Sequence, residues 1–206
     1  MRSKVTREMI LGVAEEVFAE KNYNGATMKD IADRLGIKKP ALYYHFKNKD
    51  DIYRSLILSI YERLEEKVRE PFKMGRNFKE KIKALITNLV DFWAEHPRFP
   101  NIITQEVLSK GDLVYSELIP RFWMPMFQDS ISELKKGESG YPANLDVPLL
   151  VINIFGMSAF YFFVGPILNK ITGEDYYSAD KIEKLKKEIL DLVFKGIGAG
   201  HGGNEA

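Results

Sequence analysis

The sequence predicts an all-α fold in which a small N-terminal head of three helices precedes a larger helical body. Apolar residues recur three and four apart in one segment after another, as in Ile82, Leu85, Ile86, Leu89, Phe92 and Trp93, the pattern of helices that bury one face. No stretch shows the period of two expected of a strand, and no internal repeat stands out. Pro and Gly punctuate the segments. With 206 residues, 45% of them hydrophobic, the chain can bury a sizeable core beyond the head.

The reading divides the chain into a head (1–48), a body (49–195) and a glycine-rich tail (196–206) too flexible to hold a fixed shape. After a first-helix run over 10–27, Met28, Ile31, Ala32 and Leu35 space a second helix. Thr27 and Asp30 frame its start as a capping box, and Gly36 stops it. A third helix is entered through Pro40, with Leu42 and Phe46 facing inward and Lys39, Ala41, Tyr43, Tyr44 and His45 outward. Asn48, with Asp51 three residues on, caps a long fourth helix from about Lys49 to Glu70, closed by Pro71 and Gly75. The fifth spans about Phe78 to Glu95 and is broken by HPRFP, and the sixth covers about Asn101 to Ser109. The seventh, about Leu113 to Lys136, is expected to bend near Pro120 and Pro125, since proline removes a backbone bond. KKGESGYPANLD reads as a loop, and the eighth and ninth helices cover about Val147 to Asn169 and about Ala179 to Phe194.

Two short helices joined by a glycine turn, the second edged with Lys, Tyr and His, fit the geometry that places a recognition helix in a DNA major groove. Lys4, Arg7, Lys29, Arg34, Lys38, Lys39, Lys47 and Lys49 crowd this end of the chain, and phosphate neutralisation dominates affinity for DNA. A solvated charged surface is the plainer reading of such a run, but its arrangement around a helix-turn-helix favours DNA. The formal net charge is only +1, so acidic residues elsewhere balance the head and the chain is no generic polycation.

Residues from about Thr6 to Tyr53 resemble the DNA-binding head of the TetR, or tetracycline-repressor-like, family of bacterial transcription regulators. The matching pieces are the run ILGVAEEVFAEKNYNGAT, the turn DRLGI and the signature PALYYHFKNKDDIY. Position by position, the resemblance implies that Lys29 and Lys39 face the groove or reach base edges. It makes Thr27, Tyr43, Tyr44, His45 and Lys49 phosphate clamps, with Pro40 and Ala41 in apolar contact with bases, most naturally a thymine methyl. Family members vary most from Lys38 to Ala41, which adds Lys38 to the DNA-binding set and leaves the operator sequence open. In this family the last two long helices of each subunit form a four-helix dimer interface. Matching material stands in the charge-free run from Val147 to Leu168 and in Leu185, Ile189, Leu192 and Val193. The partners implied are a second copy of the chain and a palindromic double-stranded DNA operator.

The run from Val147 to Leu168 is also long enough to cross a bilayer. Asn153 and Ser158 within it, Pro148 and Pro166 at its ends and the DNA-binding head argue instead for a helix packed between its own domain and a partner, so no membrane partner is expected. MRSKVTREMILG carries charges where an export signal would need an apolar stretch. No cysteine is present, which excludes disulfides and thiolate metal sites and suits a cytoplasmic protein.

The body is rich in aromatic and Met residues. Trp93, Trp123, Phe127, Met157 and Tyr161 fall on helices expected to face one another, where they would line a pocket for a hydrophobic small molecule. Plain core packing is the commoner fate of such stripes. Glu106, close to Ile102 and Ile103, is either at a wet edge or a buried acid in need of a partner, which is a cationic ligand or an internal Arg, Lys or Tyr. Ile103 and Glu106 join the candidate ligand set, as do Asn153 and Tyr161, hydrogen-bonding groups within apolar sequence.

Catalysis is not expected. His45, His96 and His201 are far apart with no metal-ligand spacing, and no Gly-x-Ser-x-Gly elbow occurs. A formal Gly-x-Gly-x-x-Gly from Gly198 to Gly203 follows a helix instead of a strand. No metal or cofactor is implied. Two readings remain: a regulator, expected to be a repressor, that a hydrophobic small molecule releases from its operator, and a dimeric architectural DNA-binding protein with no effector.

Overall fold

In the computed structural model, which describes residues 5–108, 112–135 and 145–199, local capping chemistry sets where the helices of the head begin and end. Thr6 accepts the Met9 amide at 3.3 Å and starts α1 (Arg7–Gly25). α2 (Met28–Leu35) opens on the expected capping box: Asp30 accepts the Thr27 amide at 2.9 Å, and Thr27 Oγ1 accepts the Asp30 amide at 3.2 Å. Gly36 closes α2 at φ 66°, a left-handed turn that only glycine adopts without steric cost. α3 (Lys39–His45) follows with Pro40 in its first turn. Ile10, Ala14, Phe18, Ile31, Leu42 and Phe46 are almost fully buried in the core beneath these helices.

α4 (Lys49–Met74) leaves the head under the Asn48 cap, whose Oδ1 accepts the Asp51 amide at 2.8 Å. It packs along α5 (Phe78–Glu95), which also lies against α8 (Val147–Thr172) and α9 (Ala179–Ala199). α6 (Phe99–Leu108) fits between α1 and α8. A π-helical stretch, Val114–Trp123, then leads into α7 (Met124–Lys135) and touches α4. Among the described residues there is no strand. The segment 136–144 of the expected loop, His201 and residues 200–206 of the tail lie outside the described residues.

Pro71 behaves differently from the sequence reading: it does not end α4, which continues to Met74, while α8, expected to about Asn169, runs through Pro166 to Thr172. A proline deprives the carbonyl four residues earlier of its donor, and the helix continues most easily where another donor replaces it. At Pro166 the replacement is visible. The Tyr177 hydroxyl donates to the Phe162 carbonyl at 3.0 Å, and the two rings stack 5.8 Å apart. Gly165 makes room for this, because a Cβ there would lie 2.5 Å from the Tyr177 oxygen. The Tyr161 hydroxyl donates to the Tyr176 carbonyl at 2.8 Å, and Asn169 Oδ1 accepts the Tyr176 amide at 2.9 Å. The connector between α8 and α9 is thereby strapped onto α8. The expected bend at Pro120 takes the form of the π-helical stretch, while Pro125 falls in the first turn of α7. α9 runs past the expected Phe194 to Ala199, so 196–199 of the expected tail are helical.

α8 is long and apolar enough to cross a membrane by length and composition. One side of it, with Val151, Ile154, Ser158, Phe162 and Gly165, is buried against its own chain. The other presents Leu149, Ile152, Phe160, Phe163, Ile167 and Ile171 to the outside, and Leu192 is exposed on α9. Ile189, in contrast, is buried within the chain.

The strap yields a stability prediction. Gly165→Ala forces the Tyr177 ring to move and is expected to cost about 1–3 kcal/mol, whereas Tyr177→Phe keeps the ring stack and loses about 1 kcal/mol with the hydrogen bond. Denaturant midpoints check both. Parent-like stability of Gly165→Ala would remove the strap.

Candidate nucleic-acid interface and apolar slot

α3 is held from beneath by Leu42 and Phe46, which leaves Lys38, Lys39, Pro40 and Ala41 exposed along one edge. Tyr43 is also exposed, and Tyr44 is 80% exposed with His45 edge-on to it at 5.1 Å. A large aromatic ring displayed so fully has little packing role within its own chain. Lys29 on α2 is exposed nearby, its ammonium on Asp33. The six side chains Lys38, Lys39, Pro40, Ala41, Tyr43 and Tyr44 form a short, basic and aromatic ridge of a size that enters a major groove.

Two of the expected phosphate clamps have internal duties. Thr27 directs both its amide and its hydroxyl to Asp30, at 2.9 and 2.6 Å, so its donors serve the cap. Lys21 and then Thr27 hold the Asp30 carboxyl down at about 2. The cap is therefore complete above the carboxyl's ordinary value of 3.8 and lost as pH falls toward 2. Lys49 Nζ donates to the carbonyls of Tyr23, at 2.6 Å, and Ala26, at 3.0 Å, and lies 4.1 Å from the Tyr23 ring centre. Two of an ammonium's three donors thus tie the first turn of α4 to the end of α1. The helix path there turns at Asn22, φ 60° and ψ 169°, a region few residues other than glycine occupy.

In the body, an apolar slot runs beside the middle of α4. Tyr61, Leu64 and Val68 form one wall, Leu85 and Leu89 of α5 a second, and Phe122, Trp123 and Met126 a third. Its volume is about 50 Å³, room for little more than water. A neighbouring cavity shares Val68, Arg69, Leu85, Met126 and Val151 and extends toward Phe72, Lys73 and Asp129. At this end Arg69 donates from Nε and Nη2 to Asp129 of α7, at 2.9 and 2.6 Å, and from Nη1 to Glu65. Tyr61 lines the slot, and its hydroxyl is the one buried side-chain polar atom among the described residues with no hydrogen-bond partner. Burial pushes this phenol up, while the neighbouring Trp123 indole opposes the shift without reaching hydrogen-bond geometry.

The expected ligand set does not converge on one cavity. Trp123 lines the slot. Trp93 is fully buried in the core behind Phe155 and donates to Ser158 Oγ at 3.2 Å. Ile103 is core, and Phe127 and Met157 are half-buried against it. Asn153 faces outward on α8, a placement for which an almost wholly apolar run gives no sequence signal. The Tyr161 hydroxyl serves the α8–α9 connector. Glu106 is buried, but the Tyr53 hydroxyl donates to it at 2.9 Å, so an internal tyrosine is present where a cationic ligand was the alternative. It borders a separate polar cleft shared with Asn22, Asp50 and Arg54. Missing from the sequence reading were Tyr61, Leu64, Val68 and Arg69. Their spacing of three, four and one along the fourth helix does mark an apolar stripe interrupted by a tyrosine, a pattern that points inward.

Residues 10–56 match the model of the bacterial regulatory proteins of the tetR family. The chain is 33% identical over 86 residues to the transcriptional activator FasR of Mycolicibacterium smegmatis, which covers 42% of this chain and 39% of that relative, under two thirds of its length. It is 23% identical over 202 residues to the transcriptional repressor KstR2 of Rhodococcus jostii, covering 95% of this chain and 92% of the relative. The crystal structure of FadR of Bacillus subtilis in complex with stearoyl-CoA superimposes with a TM-score of 0.68 at 26% identity, over 93% of this chain and 99% of that one.

The exposed ridge separates two kinds of contact. Tyr44→Ala is expected to weaken binding to every DNA sequence about tenfold, the loss of roughly one hydrogen bond, while Lys39→Ala relaxes preference at particular base pairs by about 1–3 kcal/mol. Neither should lower thermal stability, because both side chains are exposed. Binding to a randomised operator pool checks this, and parent-like binding by both variants would remove α3 as the reading helix.

Proposed function

We propose, from the premise that the chain belongs to the tetR family of bacterial regulatory proteins, that it is a cytoplasmic, homodimeric repressor which an apolar small molecule releases from a two-fold operator. Regulators of this family bind operators as dimers, and some bind small-molecule effectors. The observation that carries the reading for this chain is that α4 belongs to both functional surfaces. Its first turn is tied to the head through Lys49, and its middle forms a wall of the slot. A molecule that wedges the slot open favours another tilt of α4, and with it another separation of the two heads. It can do so only by its difference in affinity between the two states. The stearoyl-CoA held by the FadR structure supports an extended apolar effector here.

Dimerisation is assigned to α8 and α9. The outward row of Leu149, Ile152, Phe160, Phe163 and Ile167 is larger than scattered surface hydrophobics and is continuous along one helix. Two copies packed through α8 and α9 would cover it and set two heads on successive turns of DNA. The competing reading, an architectural protein without effector, leaves the apolar slot and its unpartnered phenol unexplained.

Because Ile152 is exposed in the single chain, Ile152→Asp is expected to leave helicity intact, shift sedimentation from dimer to monomer and weaken operator binding at least about tenfold. Ile189→Asp, at a buried position, should damage the fold itself. An Ile152→Asp protein that stays dimeric would move the interface elsewhere, and an operator complex that no apolar compound dissociates would favour the architectural reading.

A further inference from the structure

The two ends of the slot differ chemically. At one end Tyr61 lines the slot and its hydroxyl is buried with nothing to bond to, a cost of about 1–3 kcal/mol that an incoming hydrogen-bonding group would relieve. At the other end Arg69 bridges α4 to Asp129 on α7, with Glu65 and Lys73 beside it. Tyr61 and Arg69 are eight residues apart on one helix, so about 12 Å separates them along its axis, the reach of a medium-length alkyl chain.

Resting on the effector reading above, we propose that the effector is an elongated apolar molecule with a hydrogen-bonding oxygen at one end, which meets Tyr61, and an anionic group at the other, which takes Arg69 from Asp129. The walls between these ends are almost entirely aliphatic and aromatic, so polarity along the middle of the ligand would be penalised. The slot measures only about 50 Å³, and the Arg69–Asp129 bridge beside it fastens α7 to α4. An anion on the guanidinium competes with Asp129 for the same bidentate donors. Release of that bridge lets Met126 and the π-helical wall carrying Phe122 and Trp123 move away from α4. π-Helical segments are frequent at functional sites where such a register change is needed. The head group and the opening of the slot are one event.

Three probe series test this: straight-chain fatty acids from octanoate to palmitate, their ω-hydroxy counterparts, and the matching alkanols. Binding is read from quenching of tryptophan fluorescence, since Trp123 lines the slot. The parent is expected to bind the best ω-hydroxy acid about tenfold more tightly than the plain acid, one hydrogen bond's worth. Tyr61→Phe should erase that preference, keep plain-acid binding and leave thermal stability equal or higher, because it deletes an unsatisfied hydroxyl. Asp129→Asn should tighten both acids without affecting alkanols, and Arg69→Gln should reduce the acids to the level of alkanols. A preference for ω-hydroxy acids that survives in Tyr61→Phe, or a marked loss of stability in that variant, would overturn the Tyr61 assignment. Acids and alkanols that bind alike in the parent and in Arg69→Gln would overturn the anionic end while leaving an apolar effector in place. Failure of all three series to bind would instead remove the effector reading itself.

Discussion

The ammonium of Lys49 is lodged on the carbonyls of Tyr23 and Ala26 and close to the Tyr23 ring. This contact makes α4 a continuation of the head rather than a tether to it. Tyr23 in turn packs on Tyr53 and Phe18, with ring centres 4.8 and 6.2 Å away, so the junction is an aromatic cluster with a cation seated on it. Tyr53 then donates to Glu106 on α6, and Arg54 pairs with Glu117 on the π-helical stretch. A helix gripped this firmly at one end behaves as a lever. At about 1.5 Å per residue, α4 is roughly 39 Å long, so in the proposed mechanism a small displacement near Leu64 or Val68 would be carried to α3.

The body is arranged to make such a displacement specific. α5 sits between α4 and the α8–α9 pair, and Lys186 of α9 reaches Asp91 of α5 at 2.6 Å. The Tyr177 hydroxyl on the Phe162 carbonyl and the Tyr161 hydroxyl on the Tyr176 carbonyl hold α8 and the connector together despite Pro166. One side of α4 therefore faces a braced wall of α5 and α8. The opposite wall, from Phe122 to Met126, joins a π-helical stretch to α7; it meets α4 through the Tyr61 ring on Phe122 and Trp123 and through the ion pairs Arg54–Glu117, Arg121–Glu62 and Arg69–Asp129. That wall is the one that can yield.

Much of the fold was legible in the sequence because it is written locally. Thr27 with Asp30, Gly36, Pro40 and Asn48 each act within a few residues of themselves, and each takes the expected role in capping or turning a helix. The fifth helix carries its stripe and its caps in one segment and was placed at its observed bounds, Phe78–Glu95. What escaped depends on partners distant in sequence. Tyr53 is 53 residues from Glu106, so the sequence could pose the need for a partner but not choose it. The Tyr177 hydroxyl that replaces the donor missing at Pro166 comes from the following connector, and an all-apolar helix cannot tell from its own pattern that Ser158 is inside and Asn153 outside. The slot was missed for the same reason: the apolar stripe of Tyr61, Leu64 and Val68 is visible, but the shape of the wall opposite is not.

The central claim is that the slot and the head communicate through α4. The chain has no cysteine, so Glu8→Cys, exposed at the start of α1, places one spin label on each head of a dimer. Pulsed dipolar spectroscopy then measures the separation of the heads without and with saturating ω-hydroxydodecanoate, in the otherwise native protein and in the Lys49→Ala background. The account predicts a shifted distance on binding in the first protein and a broad, ligand-insensitive distribution in the second, where the head is no longer tied to the lever. Release of operator DNA by the ligand with an unchanged separation of the heads would contradict it.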